Sequence, residues 1–194
     1  MEGTEEKYFF EALIRYMGLE NNGAKIQILP LEGSSGLRDK VKAIKLTTGF
    51  SKVVSLAVVR DADDDPVGAF SSITDALANA TLSVPTTTMI RVGTNPSVSV
   101  MLLPIEGPGM LENVCLEAVR QDVAMSCVND YFQCLNNKGI SSFQNLSKSK
   151  VQAFLASKNE TRRLGEAAQK GYWPWNATPF SPIVKFLRMF VATS

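Results

Sequence analysis

The chain has 194 residues, 45% hydrophobic and 20% charged, with a formal net charge of +1. That length and balance suit one generous core with an appended subdomain and exclude a disordered or fibrous chain. Histidine is absent, so Ser-His-Asp triads, histidine general bases and the usual zinc sites are excluded, and any catalysis falls to carboxylates, hydroxyls, lysines or bound metal.

The opening MEGTEEKYFF is acidic, unlike the basic and then apolar start of a signal peptide. The longest apolar stretches, Val53 to Val59 and Val98 to Leu103, fall well short of the roughly 20 residues that cross a bilayer. A cytoplasmic protein without membrane contact is expected. Thr4, Glu5 and Glu6 mark a helix start, and Phe9, Phe10, Leu13, Ile14 and Met17 recur at helical spacing up to Gly18. Lys25 to Leu31 reads as a strand, and Leu37 to Leu46 as a helix on Leu37, Val41 and Ile44. Lys52 to Val59 is the kind of β-branched run found in a central parallel strand buried on both faces. Pro66 suits the first turn of a helix carrying Phe70, Ile73 and Leu77, and Val98 to Leu103 supplies a further strand. This alternation predicts a parallel α/β sheet.

Beyond Gly109 only helical patterns follow, at 110–136 with room for one break, then 148–157, 163–170 and 182–191. The expected organisation is an α/β domain over 1–118 and a helical extension over 119–194 packed on it. Cys115, Cys127 and Cys134 form no C-x-x-C pair, and an odd count in a cytosolic chain predicts buried thiols rather than disulfides.

Charge is distributed unevenly. Residues 1–137 carry 11 Lys/Arg and 17 Asp/Glu, a balance of −6, whereas residues 138–194 carry 9 and 2, a balance of +7. The acidic part suits cations and the basic part suits phosphates, although a solvated helical surface accounts for the second equally well. Lys148, Lys150, Lys158, Arg162 and Arg163 are the candidate nucleic-acid contacts, since phosphate binding needs only cations. Trp173 and Trp175 read as packing aromatics before base-stacking ones.

The sharpest local feature is Arg60-Asp61-Ala62-Asp63-Asp64-Asp65-Pro66, directly after the β-branched run. Ligands of open α/β sheets bind at the carboxyl ends of strands, and alternate residues leaving a strand point to one side, so Asp61 and Asp63 are expected to face one cation. Clustered carboxylates repel one another, and an oxygen-only donor set favours magnesium, manganese or calcium. An EF-hand loop would need Gly and Glu where Pro66 and Ser72 stand. A solvated turn capping the next helix is the plain alternative. The loop Glu32-Gly33-Ser34-Ser35-Gly36 lacks the Gly-Lys-Ser/Thr of a P-loop and reads as an ordinary turn.

Glu2-Gly3 and Asp61-Ala62-Asp63, in that order, resemble the Glu-Gly and Asp-x-Asp of Toprim domains. More narrowly, EGTEEKYFFEALIRYMG, VVRDADDDP, PGMLEN, KVQAFLA and GYWPW resemble a small prokaryotic family related to Toprim, near the nucleases of the overcoming-lysogenisation-defect family. The family carries an apolar strand ahead of its Glu-Gly, where only Met1 precedes Glu2. The resemblance implies a Toprim-like Rossmannoid three-layer fold, with a mostly parallel sheet of about four strands and a helical carboxyl-terminal extension.

It further implies divalent-metal-dependent phosphodiester chemistry on DNA or RNA. Glu2, Asp61 and Asp63 would be the catalytic centre, and Glu2, Glu6, Asp61, Asp63 and Glu112 the ligands of magnesium or manganese. A second copy of the chain or a partner ATPase is an expected companion. The rival expectation is a regulatory module that keeps the fold and a metal or nucleotide site without turnover. A receiver-like phospho-acceptor domain is disfavoured, because no fifth strand followed by a lysine is present.

Overall fold

A computed structural model describes residues 3–22, 25–31, 36–160 and 162–191. The elements are α1 (Thr4–Tyr16), α2 (Leu37–Leu46), β1 (Ser55–Asp61), α3 (Pro66–Asn79), β2 (Arg91–Val92), β3 (Ser97–Leu103), α4 (Leu111–Ala118), α5 (Ala124–Asn137), α6 (Leu146–Ala156), α7 (Leu164–Gln169) and α8 (Ser181–Val191).

The chain is α/β, but the expected sheet of about four mostly parallel strands is not what forms. The described sheet has three strands in the order β1-β3-β2. β1 and β3 run parallel, from Ser55 beside Ser97 to Asp61 beside Leu103, while the two-residue β2 is antiparallel to β3. Residues 25–31, with the composition of a strand, form no regular element and join no ladder among the described residues. Pro30 has no N–H to donate, and the segment's apolar residues are divided between two cores: Ile26 and Ile28 pack against one and Leu31 lies in the other. The run Lys52 to Val59, expected to be central and buried on both faces, supplies most of β1, which lies at the edge of the described sheet and is only partly buried. The central position belongs to β3, buried along its whole length.

Strand alternation sorts the two cores. Val58, Val98, Val100 and Leu102 face α2 and α3, where Leu37, Val41, Ile73 and Leu77 close one apolar cluster. Val59, Met101 and Leu103 face a larger cluster built by α1 and the helices after residue 110, including Phe9, Leu13, Phe154, Trp173, Phe180 and Phe186. This second core takes residues from both sides of position 118. No helix among the described residues is long and apolar enough to cross a membrane.

Local chemistry accounts for the helix ends. α3 starts where Asp65 accepts a hydrogen bond from the Gly68 N–H at 2.9 Å, with Pro66 in the first position. α1 gives way to Gly18 at φ +68, a left-handed position glycine takes without a Cβ clash. α7 packs onto α1. The Gly165 N–H donates to Glu5 Oε2 at 2.8 Å, and a Cβ on Gly165 would overlap the Glu5 carbonyl oxygen and stand 2.7 Å from Tyr8 Cβ. At the amino ends of the strands, Arg91 donates to Ser97 Oγ and Ser55 Oγ at 2.7 Å each and to the Met189 carbonyl at 3.3 Å, tying α8 to the sheet.

Candidate metal centre at the start of α4

The carboxyl ends of β1 and β3 build the site. The last residue of β1, Asp61, lies beside Leu103, and the next N–H, of Ala62, still reaches the Leu103 carbonyl at 2.8 Å. Strand geometry then stops. Asp63 turns left-handed at φ +51, a conformation that short polar side chains tolerate better than most. It exchanges two backbone hydrogen bonds of 2.7 Å with Gly109. Gly109, at φ +137, leaves room for this turn, because a Cβ there would lie 2.9 Å from Pro104 Cδ and 3.0 Å from Asn113 Oδ1. Asp61 to Asp63 and Gly109 to Leu111 are thus laid side by side.

Asp61 lies on the same sheet face as Val59, which directs its carboxylate to the first turn of α4. Its Oδ1 accepts from the Leu111 N–H at 2.9 Å, and the residue is 6% exposed. The amino terminus of a helix carries partial positive charge from its unpaired N–H groups, so an ionised carboxylate is stabilised there. Glu112, one residue on, is 9% exposed. Cys115 follows one turn later. Its burial, then the charges of Glu112 and Asp61, push its thiol well above the usual range.

The carboxylates expected to act together therefore occupy different settings. Asp61 and Glu112 are buried at one helix start, whereas Asp63 and Asp64 are exposed. The expected alternation of Asp61 and Asp63 fails because β1 ends at Asp61 and Asp63 is turned left-handed. Asp65 is used as the cap of α3. Glu6 is half-buried in the first turn of α1, and its Oε2 is 2.8 Å from where a Cβ on Gly3 would stand, so it folds back over its own helix start. Glu2 and residues 32–35 lie outside the described residues. Among the described residues, no three of the Cys, Asp and Glu side chains are placed to hold a metal ion together.

A polar network links this site to α6. Asn113 accepts from the Met110 N–H at 3.0 Å through Oδ1 and donates to Ser147 Oγ at 3.1 Å through Nδ2. Asn145, the cap of α6, accepts from the Lys148 N–H at 2.8 Å and places its Nδ2 3.1 Å from Met110 Sδ. Sequence reasoning singled out Glu112 but missed these asparagines. The available signal was that each stands where an amide side chain caps a helix start.

The five basic candidates separate by partner. Lys158 pairs with Asp122 at 2.9 Å and sits 4.2 Å from the centre of the Phe154 ring. The Ala124 N–H above all, and then the Lys158 pair, hold the Asp122 carboxyl below its ordinary range. Arg162 pairs with Glu160, and Lys150 donates to Asn129 Oδ1 at 3.1 Å. Lys148 and Arg163 are exposed and make no ion pair among the described residues.

Trp173 is buried, stacked on Phe154 and donating from Nε1 to the Leu164 carbonyl at 3.1 Å, while Trp175 packs edge-on to Phe9. Both rings serve packing. The expectation of buried thiols holds for Cys115 only, since Cys127 and Cys134 are exposed on α5. A cavity of about 640 Å³ between α5 and α6 is lined by Val128, Tyr131, Phe132, Phe143 and Ala153 among others, with no carboxylate, so it does not extend the acidic site.

No curated protein and no solved structure matches the chain. One family model, described as Protein of unknown function (DUF3226), matches residues 1–192, and the chain belongs to that family.

Proposed function

We propose that the carboxyl ends of β1 and β3 hold magnesium or manganese and that the protein performs phosphodiester chemistry on DNA or RNA in the cytoplasm, most simply as a nuclease. The observation that carries this reading is the buried pair Asp61 and Glu112 at the start of α4, with the exposed Asp63 and Asp64 beside it. Two acids buried at one helix start suit a hard divalent cation, and carboxylate oxygens are the donors such ions take. The resemblance of Glu2-Gly3 and Asp61-Ala62-Asp63 to Toprim domains adds the reaction class.

In this reading Asp61, Glu112 and Asp63 would hold the ion, with Glu2 and Glu6 as the amino-terminal contributors. A bound divalent ion would supply an activated water and charge stabilisation at the leaving oxygen. The chain's own part is positional. The Leu111 N–H fixes the Asp61 carboxyl, and the paired hydrogen bonds between Asp63 and Gly109 fix the turn that carries the outer acids. Without histidine, no imidazole can replace the metal in proton transfer.

The second reading is a module that binds metal or nucleotide without turnover. It is favoured by the absence, among the described residues, of three side chains placed to hold one ion. Manganese titration calorimetry and a cleavage assay on plasmid and single-stranded substrates, both run on the wild type and Asp61→Asn, decide the matter. Cleavage that needs magnesium or manganese, stops with chelator and is lost in Asp61→Asn supports the enzyme. Metal binding lost in the variant, with no cleavage by either protein, leaves the binding module. Equal metal binding by both proteins overturns the site.

A further inference from the structure

The basic carboxyl-terminal third offers five candidate phosphate contacts, and the structure leaves few of them available next to the acids. Lys158 and Arg162 are engaged by Asp122 and Glu160, and Lys150 by Asn129. Arg163 begins α7, which is tied to α1 through Gly165 and Glu5 rather than to α4. Lys148 differs. It is exposed, makes no ion pair among the described residues, and follows Ser147, whose hydroxyl accepts from Asn113 of α4 at 3.1 Å. Asn145, the cap of the same turn, meets Met110 Sδ at 3.1 Å. Met110 and Asn113 flank Leu111, whose N–H holds Asp61. The residue before Lys148 is therefore joined by side chains to the turn that fixes the central carboxylate.

Helix stability does not explain a lysine there. The first turn of α6 has no acidic residue. A cation in that turn opposes the helix dipole, at a cost of about 0.3–1 kcal/mol where an acid would gain as much. A nucleic-acid backbone approaching Asp61, Glu112, Asp63 and Asp64 meets like charge, and a neighbouring cation offsets it.

Building on the phosphodiester reading above, we propose that Lys148 is the phosphate-binding residue of this site. It takes a backbone phosphate flanking the reacting one, so that the strand runs from the acidic centre across the first turn of α6. The recognised chemistry is the phosphodiester backbone, common to DNA and RNA.

The test is binding of labelled single-stranded oligonucleotides, one deoxyribo and one ribo, in calcium chloride over a range of salt concentrations. The wild type is compared with Lys148→Ala and with Lys42→Ala, which removes the same charge from an exposed position on α2, across the sheet. One phosphate contact on a single strand is worth about 0.7 in the salt slope, or about fivefold in affinity at 0.1 M relative to 1 M salt. Lys148→Ala should lose that much on whichever strand binds, with unchanged urea unfolding, and Lys42→Ala should lose nothing. A wild-type slope in Lys148→Ala overturns the assignment, and if magnesium-dependent cleavage persists the phosphodiester reading survives it. Equal losses in both variants also overturn it, because net charge alone then explains binding. A wild type that binds neither strand overturns both this assignment and the reading it rests on.

Discussion

Replacing Asp61 in graded steps separates its structural role from its chemical one. Asp61→Asn preserves shape and leaves an amide oxygen able to accept from the Leu111 N–H, but exchanges a charge-assisted hydrogen bond for a neutral one. Those differ by about 1 kcal/mol, and the lost interaction with the α4 terminus adds about 0.3–1 kcal/mol. Asp61→Ala removes the acceptor and leaves a buried donor unmet, which costs about 1–3 kcal/mol before any cavity. Asp63→Ala acts elsewhere. It keeps the backbone pair with Gly109 but puts alanine at φ +51, a strain of about 1–2 kcal/mol that Asp63→Gly avoids. Urea unfolding with chelator present should therefore rank Asp61→Ala below Asp61→Asn below wild type, with Asp63→Gly least affected through its left-handed turn. Manganese binding should fall in all of them. If Asp61→Ala unfolds at the wild-type midpoint with an unchanged m-value, the buried hydrogen bond to Leu111 is not contributing and the reasoning about the site's frame fails.

Gly165→Ala should destabilise by about 1–3 kcal/mol despite alanine's better helix propensity, because the added Cβ meets the Glu5 backbone and cannot be relieved by a side-chain rotation; an unchanged midpoint in urea would show that α7 can retreat from α1 at no cost. Thiol counting at pH 8 should give two fast-reacting cysteines, Cys127 and Cys134, with Cys115 reacting only on unfolding, since its burial and the nearby acids keep it protonated; three fast thiols would contradict the packing around α4. Asp122 has a lowered folded pKa, so its stabilisation is present above the ordinary carboxyl value near 3.8 and is lost as pH falls through the folded one. Lys158→Met should accordingly cost more stability at pH 6 than in strong acid, and a gap that stays constant with pH would remove the pair from the account.

Helices were readable from sequence because their signals are local. The apolar spacing of Phe9, Phe10, Leu13 and Ile14, and the Asp65-Pro66 start of α3, each act within a few residues, and the observed ends follow them. The sheet was less readable because a ladder is a non-local object. Residues 25–31 have strand composition, yet their partners would have to come from elsewhere in the chain, and the two cores claim their side chains instead. The same limit explains the basic residues. Nothing near Lys158 in sequence announces Asp122, 36 positions away, as its partner. Asp61 stands out in the sequence through its place after a β-branched run, and β1 does end at that residue. The partner that holds it, the Leu111 N–H, is 50 positions away.

That partner bears on how tightly the proposed site would hold a metal. A cluster of carboxylates with no compensation would be costly to keep ionised when empty, and would bind a cation tightly to relieve the repulsion. Here the Leu111 N–H at the amino terminus of α4 already donates to the Asp61 carboxyl. The amide meets part of the need a cation would otherwise meet, so the gain on binding metal is smaller than for an unsupported pair. A weaker, exchangeable ion suits a site where metal arrives with a phosphate and leaves with a product, as magnesium commonly does. A structural metal site would be better served by leaving Asp61 unsupported. The sign of the Asp61→Asn effect on chelator sensitivity follows from this. If metal were structural, wild-type protein should lose a large part of its stability in chelator and the variant should not. If metal serves substrate, chelator should leave wild-type stability nearly unchanged while abolishing any cleavage.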